Sequence, residues 1–128
     1  MSTATSTIPT TTTPALVQQL IVYINAGQNV RAEQELYADD VISHEQNGRI
    51  AIGKAAVIAK TQHAHEGIAE FHGGGVTQSY VGPDSFILVF DLDLTLKGGQ
   101  RVQVKEYGYY RVEDGKVVEE RFFAEPLV

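Results

Sequence analysis

The 128-residue sequence fits a single globular domain, with 43% hydrophobic residues and a formal net charge of −6. The acidic balance argues against a nucleic-acid or anionic-membrane partner, because both need clustered Lys and Arg. The chain contains no cysteine, which excludes disulfides, thiolate nucleophiles and zinc–thiolate sites.

Residues 1–13 form a Ser/Thr-rich leader with too little apolar surface to order itself. We expect a loose tail, which could also lie against a partner subunit. The leader lacks the basic start and apolar centre of a secretory signal, and no apolar run approaches the ~20 residues that span a bilayer. These features predict a cytoplasmic protein whose single folded domain covers residues 14–128.

Three helices are predicted in the first half of the chain. The first begins at Pro14 and ends near Gly27, the second covers about residues 29–38, and the third covers residues 53–66 and is rich in alanine. A short strand, residues 41–45, precedes a polar turn between the last two helices. Apolar residues recur at helical spacing in the first two helices: Leu16, Val17, Leu20, Ile21, Ile24, Val30, Leu36 and Tyr37.

From residue 69 onward the apolar period changes from about 3.6 to 2, which indicates strands. The predicted strands cover residues 76–81, 86–96, 101–112 and 117–124, with glycine-containing turns between them. Three helices followed by a meander predict an α+β fold in which the helices pack on one face of a mostly antiparallel sheet.

The register of the meander decides which side chains meet. Three-residue loops with a left-handed glycine would fit both hairpins and would place Phe90 opposite Glu106 and Gly108 opposite Glu120. The same register pairs Asp91 with Lys105 on the reverse face, as charge complementarity favours. A two-residue turn at the first hairpin would instead place like charges opposite each other, so we take the first register.

In this register, Glu106 and Glu120 are diagonal neighbours, roughly 5–8 Å apart, on an otherwise apolar face. Two close carboxylates in an apolar wall disfavour ionisation, so one should titrate high. Gly108 would leave space between them, and Tyr110 could supply a hydroxyl. This combination predicts a ligand pocket, although each glutamate could instead only stabilise the fold through internal hydrogen bonds.

The four histidines give weaker signals. His63 and His65 are two residues apart on a helix and point to different sides, so no metal site is predicted. His44 and Glu45 are adjacent on a strand, so only one of them can face the pocket, and strand parity alone does not say which. His72 could reach the open end of the sheet and pair with Glu106.

Four segments resemble the SnoaL-like branch of the nuclear transport factor 2-like superfamily. They are Y-I-N-A-G-Q (23–28), E-L-Y-A-D-D-V (35–41), I-G-K-A-A-V (52–57) and R-V-E-D-G-K-V-V-E-E-R-F-F (111–123). The resemblance covers about residues 14–126. It implies a cystatin-like cone of three helices packed on a curved, mostly antiparallel sheet, a pocket between helices and sheet, and a homodimer.

The resemblance also implies roles for individual positions. Ketosteroid isomerases of this superfamily place their general base where this chain has Glu45, their oxyanion-holding tyrosine at Leu20, and their protonated aspartate near Gly108. Polyketide cyclases carry a histidine and an aspartate two residues apart on the last strand, where this chain has Glu120 and Phe122. The oxyanion hole is therefore missing, and only the first cyclase position remains ionisable.

These observations leave three hypotheses. The first is a cofactor-independent isomerase, cyclase or dehydratase acting on a small hydrophobic carbonyl or aromatic compound. The second is a non-catalytic module that binds such a compound and dimerises, and the third is a purely structural pairing domain. The candidate catalytic residues are Glu45, Glu106, Glu120 and His72, with Glu45 or Glu106 as base and Tyr110 or His72 as donor. The candidate ligand-binding residues are Tyr37, His44, Phe90, Gly108, Tyr110 and Phe122.

Overall fold

A computed structural model describes residues 11–124, which form three helices and one six-stranded sheet. The elements, in chain order, are α1 Thr13–Asn25, α2 Asn29–Leu36, β1 Tyr37–His44, β2 Ile50–Ile52, α3 Lys54–Glu66, β3 Ile68–Val81, β4 Ser85–Leu96, β5 Arg101–Glu113 and β6 Lys116–Ala124. Residues 1–10 of the predicted loose leader lie outside this range. Within the described part, no helix is both long and apolar enough to cross a membrane.

Helix α1 has the start and stop signals that its sequence predicts. The side chain of Thr12 accepts a hydrogen bond from the backbone N–H of Ala15 at 3.3 Å, and a proline stands in the first turn. Gly27, with φ of 75°, follows the last turn. The stripe that α1 buries against the sheet includes Leu16, Val17 and Leu20. This helix therefore contributes a large share of the apolar core.

The handover from helix to strand is more abrupt than predicted. Helix α2 ends at Leu36, and strand β1 begins at Tyr37 rather than at residue 41. The three-residue strand β2 was not predicted, and β3 runs unbroken from Ile68 through the glycine run instead of starting at Val76. Because β1 starts early, Tyr37 and Ser43 belong to the same strand, which pairs with β2 on one side and β6 on the other.

The sheet has the strand order β2-β1-β6-β5-β4-β3, and all neighbours are antiparallel except β1 and β6. The helices cover one face, and the α+β prediction is confirmed. Buried apolar side chains from helices and strands form one core: Leu16, Val17, Leu20, Ala32, Leu36, Tyr37, Val41, Val57, Phe86, Leu88, Phe90, Tyr110, Val112 and Val117.

The register predicted for β4 and β5 is confirmed. Phe90 lies opposite Glu106, and Asp91 lies opposite Lys105. The pairing is regular along the whole length of the two strands. Glu106 therefore lies on the face that the helices cover, as expected.

The register predicted for β5 and β6 is wrong by two residues. The turn contains only Asp114 and Gly115, both with positive φ as primed hairpin turns require. A β-bulge that includes Val118 adds a second shift. Tyr110 therefore lies opposite Glu120. Two shifts of one residue preserve strand parity, so this glutamate still faces the helices.

The corrected register also separates the two glutamates. Glu106 pairs with Ala124 and Glu120 with Tyr110, so roughly 13 Å of strand lies between them at ~3.4 Å per residue. They are not diagonal neighbours.

The free edge of β3 is tied to the end of α1. The side chain of Asn25 accepts a hydrogen bond from the backbone N–H of Val76 at 2.9 Å. A Cβ on Gly75 would lie 2.3 Å from that same Oδ1, and the φ of Gly75 is 154°. Only glycine allows this close approach, which fixes the C-terminal end of α1 over the sheet.

Candidate functional site

A cavity of about 1560 Å³ lies between the helices and the inner face of the sheet. Its wall is mainly apolar and aromatic, with carboxyl groups and one lysine set into it, as is typical of small-molecule sites. The lining residues include Glu33, Tyr37, Lys60, Glu106, Tyr110, Glu120 and Phe122.

Glu120 is held by a buried hydrogen-bond network on the cavity wall. Only 1% of the residue is exposed. Its Oε1 accepts a hydrogen bond from the hydroxyl of Tyr37 at 2.5 Å, and its Oε2 accepts one from Ser43 at 2.7 Å. Both donors lie on β1, which pairs with β6 in parallel. Because both carboxyl oxygens accept hydrogen bonds, the side chain of Glu120 is held in a fixed position in the wall.

Lys60, on α3, completes this network. Its ammonium donates a hydrogen bond to Ser43 Oγ at 2.6 Å and lies 3.5 Å from Glu120 Oε2. It also lies 4.9 Å from the centre of the Phe122 ring, a cation–π distance. Lys60 is therefore the counter-ion of Glu120 and links the helix α3 to the sheet.

Glu33 is a second buried carboxyl that the sequence analysis did not identify. It is 6% exposed on the buried face of α2. Its Oε2 accepts a hydrogen bond from Thr61 at 2.6 Å, whereas its Oε1 is buried with no hydrogen-bond partner among the described residues. Burial raises the pKa of Glu33 to about 7; the charge of Glu120 adds to the rise, and the Thr61 hydrogen bond and Lys60 oppose it. This carboxyl exchanges its proton near neutral pH.

Glu106 lines the same cavity from β5. Burial raises its pKa, and the charge of Glu120 adds to that rise while Lys60 opposes it. Within residues 11–124, no hydrogen bond or ion pair holds its side chain. Glu106 is therefore a less constrained carboxyl than Glu120, in an environment that favours its neutral form.

The ring of Tyr110 occupies the space that the sequence analysis assigned to a ligand beside Gly108. A Cβ on Gly108 would lie 2.7 Å from Cε1 and 2.9 Å from the hydroxyl oxygen of Tyr110. Gly108 does not line the cavity, whereas Tyr110, Phe90 and Phe122 do. The Tyr110 and Phe122 rings meet edge to face at 6.0 Å. The glycine therefore shapes the cavity indirectly, by letting this tyrosine lie flat against β5.

Both tyrosines of the site are neutral phenols. Burial raises the pKa of Tyr37 and of Tyr110 well above the ordinary value, and the negative charge of Glu120 adds to both rises. They can act only as hydrogen-bond donors or acceptors at physiological pH.

The structure resolves the parity of β1. Val41 and Ser43 are buried on the inner side, and Glu45 follows them onto the cavity wall. His44 points to the other side, where its Nε2 lies 2.9 Å from Glu119 Oε2. Of the two neighbours, Glu45 is therefore the one that faces the cavity.

His72 does not reach the cavity. Its Nε2 lies 2.6 Å from Thr95 Oγ1, and its Nδ1 lies 3.5 Å from Glu70. His72 is not among the residues that line the cavity, whereas Glu106 is, so the predicted pairing of the two does not form. Among residues 11–124, no three His, Asp or Glu side chains converge to form a metal site.

Two residues of the site were missed, and one of them had a signal in the sequence. Glu33 is three residues from both Val30 and Leu36 and therefore lies on the apolar stripe of α2. A charged residue on such a stripe indicates a buried polar group. Lys60 had a weaker signal. It follows Val57 by three residues, but the helix is rich in alanine and shows no clear apolar stripe on which a charged residue would stand out.

Comparison with known proteins identifies the family. The family model described as "SnoaL-like domain" matches residues 11–124. A solved structure from Mesorhizobium loti, provisionally assigned as a SnoaL-like polyketide cyclase, is 37% identical; the match covers 86% of this chain and 97% of the other, with a TM-score of 0.79.

Two more distant structures show the same fold. One from Jannaschia sp. CCS1, also provisionally assigned as a SnoaL-like polyketide cyclase, is 20% identical over 95% of this chain and 92% of the other (TM-score 0.78). A protein of unknown function with a cystatin-like fold from Xanthomonas campestris is 21% identical over 90% and 92% (TM-score 0.76). No functionally curated protein matches significantly. With nearly the whole domain matched, this chain belongs to the SnoaL-like domain family.

Proposed function

We propose that the cavity binds a small hydrophobic carbonyl or aromatic compound and that its carboxyl groups move a proton on that compound without a cofactor. Membership of the SnoaL-like family supports an isomerase- or cyclase-type reaction. The site adds an apolar wall and carboxyl groups of raised pKa, which are suited to proton transfer beside a carbonyl.

The observation that carries this proposal is the Oε1 of Glu33, which has no hydrogen-bond partner in the described part of the chain. A buried polar atom without a hydrogen bond is costly, so a native one calls for a missing partner. Glu33 lines the cavity, so a bound ligand can be that partner. A pKa of about 7 lets the same group hold or release a proton at neutral pH.

The remaining groups take complementary roles. Glu106, whose side chain has no hydrogen bond within residues 11–124, removes the proton next to the carbonyl. The electron pair of the C–H bond forms a C=C bond while the π pair of the carbonyl moves onto its oxygen. Lys60 and the phenol of Tyr110 stabilise the negative charge that develops there. Glu106 then returns this proton to the compound, which restores the base for the next turnover. Glu33 Oε1 accepts a hydrogen bond from the ligand, and Glu120 keeps Lys60 in place through its ion pair. Glu45 is a second candidate base on the cavity wall.

Solvent hydrogen exchange tests this reaction without knowledge of the natural substrate. We expect the protein to accelerate deuterium incorporation next to the carbonyl of 2-tetralone or 2-indanone in D₂O, measured by NMR. Glu106→Gln should slow this exchange by about 10²-fold or more, and Glu33→Gln should also slow it. Asp93→Asn, which removes a carboxylate from the outer sheet face, is the matched control and should keep the wild-type rate.

A second candidate function, a non-catalytic binding module, has one specific observation in its favour. Leu20 is buried at the cavity wall where ketosteroid isomerases carry their oxyanion-holding tyrosine. If both ketones bind but exchange no faster than in buffer, the binding function is supported and proton transfer is refuted. Native mass spectrometry of protein purified from its own host would then show a retained apolar molecule.

We also propose that the chain forms a homodimer through the outer face of the sheet. Tyr80 lies opposite Ile87 on this face, and Tyr107 lies opposite Phe123. Tyr80, Ile87 and Phe123 are exposed apolar side chains on this face. Sedimentation should show a dimer at micromolar concentration. Ile87→Lys should weaken the dimer, whereas Val22→Lys, on the exposed side of α1, should not; a strict wild-type monomer would refute the pairing.

A further inference from the structure

Among the described residues, the cavity lining contains five glutamates but only one lysine and one arginine, Lys60 and Arg49. The charge of Glu120 raises the pKa of both Glu33 and Glu106, and Lys60 interacts electrostatically with all three carboxyl groups. Tyr110 lies in the field of all three carboxyls, which raise its pKa after the effect of burial. The three acids and the lysine therefore surround one region of the cavity.

Lys60 forms an ion pair with one of these acids, Glu120. Its ammonium contacts Ser43, Glu120 and the Phe122 ring. Glu33 and Glu106 have no ion pair with any described residue. The wall thus carries two carboxyl groups without a cation of their own, one of them with a hydrogen-bond acceptor that is more than nine-tenths buried and unpartnered.

Two processes can neutralise such carboxyls in an apolar wall. A proton can bind to each, as the raised pKa values of both groups indicate. Alternatively, a ligand can bring its own positive charge, which attracts the carboxylates strongly at low dielectric. An anionic ligand would be repelled, and a neutral ligand would leave both carboxyls as they are. The electrostatics of the cavity therefore favour a cation.

We propose that the ligand of this cavity carries a protonated amine on an apolar or aromatic body, with Glu33 Oε1 as the hydrogen-bond acceptor for the amine and Glu106 as the second negative charge. This inference deepens the proposed function and rests on it, because it assumes that the cavity is the ligand site. The aromatic wall supports it: the Phe122 ring already contacts one ammonium group, and the ring of Tyr110 lies beside it.

The proposal has a thermodynamic consequence. A cation that binds beside Glu33 favours its ionised form, so binding must release the proton that Glu33 holds. With a pKa of about 7, Glu33 is about half protonated at pH 7. Amine binding at that pH should therefore release up to about half a proton per ligand.

Three naphthalene probes of matched shape test the inference. They are 1-naphthylmethylamine, which is protonated at pH 7, the neutral 1-naphthalenemethanol, and the anionic 1-naphthoate. Isothermal titration of the full chain at pH 7, in two buffers of different ionisation enthalpy, measures affinity and proton release together. We expect the amine to bind at least about tenfold more tightly than the alcohol, the naphthoate to bind most weakly, and the amine alone to release protons.

Variants assign the effect to the two carboxyls. Glu33→Gln should remove most of the proton release and most of the preference for the amine, and Glu106→Gln should reduce both. Both variants keep the shape of the side chain. Asp93→Asn removes the same charge from the outer face and should leave both quantities unchanged.

The other outcomes distinguish failure of the amine inference from failure of its premise that the cavity is a ligand site. If the alcohol binds as tightly as the amine, or if both variants keep the amine preference, the amine inference is overturned while the cavity remains a ligand site. If none of the three probes binds, both the amine inference and its premise about the cavity are refuted.

Discussion

Replacement of Glu33 by glutamine tests the buried carboxyl through the pH dependence of stability. The pKa of Glu33 is raised from 4.5 to about 7 in the folded chain, chiefly by burial. Below pH 4.5 both the folded and the unfolded chain hold the proton, so this group contributes no pH dependence. Between pH 4.5 and about 7 only the folded chain holds it, so stability falls as the pH rises through this window.

The magnitude follows from the width of that window. At ~1.36 kcal/mol per pH unit, the ionised carboxyl lowers the free energy of unfolding by about 3 kcal/mol at pH 8 relative to pH 4. Glutamine has the shape of the protonated acid and does not titrate. Glu33→Gln should therefore match wild type near pH 4 and become more stable than wild type by about 3 kcal/mol at pH 8.

Urea unfolding of both proteins at several pH values between ~4 and ~8 measures this difference. Other titrating groups cancel when the two proteins are compared at the same pH. Asp93→Asn is the control. Arg101 holds the pKa of Asp93 below its ordinary value, so the difference in free energy of unfolding between Asp93→Asn and wild type should stay constant above about pH 5. A Glu33→Gln difference that is equally constant from pH 4.5 to 8 would refute the assignment of Glu33 as a neutral buried acid.

Two further substitutions test the packing around the site by urea unfolding. Gly108→Ala should lower the free energy of unfolding by about 1–3 kcal/mol, because its Cβ would lie within 3.0 Å of the Tyr110 ring. Gly98→Ala, where a Cβ meets open space, is the control and should be close to neutral. Equal effects of the two substitutions would contradict the contact. Tyr37→Phe should cost about 1–3 kcal/mol, because Glu120 Oε1 would lose its buried donor, and a stability change within error would show that this bond is not needed.

Regular alternation made the β4–β5 pairing predictable. Apolar residues occupy every second position of β4, and opposite charges meet only in one register, so hydrophobic pattern and electrostatics agree on Phe90 opposite Glu106. The helices were predictable for the same reason: Leu16, Val17 and Leu20 recur at the helical period, and a glycine ends the run.

The site itself was only partly predictable. The bulge in β6 depends on how the strand fits its neighbours, and no local signal at Val118 announces it. The position of the Tyr110 ring over Gly108 is likewise a choice among rotamers that packing decides. His72 was placed by the assumption that β3 begins late, whereas the strand includes the glycine run and turns that histidine towards Thr95.

The bulge in β6 has a consequence for changes in chain length. It divides the last hairpin into a tip, where Glu113 pairs with Lys116 and Val112 with Val117, and an inner ladder that begins with Arg111 and Glu119. Deletion of the surplus residue would join the two ladders without altering which partner each inner residue meets. The position of Glu120 therefore does not depend on whether the surplus residue is present. The length of the tip can change by this residue while the cavity wall keeps the same side chains in the same places.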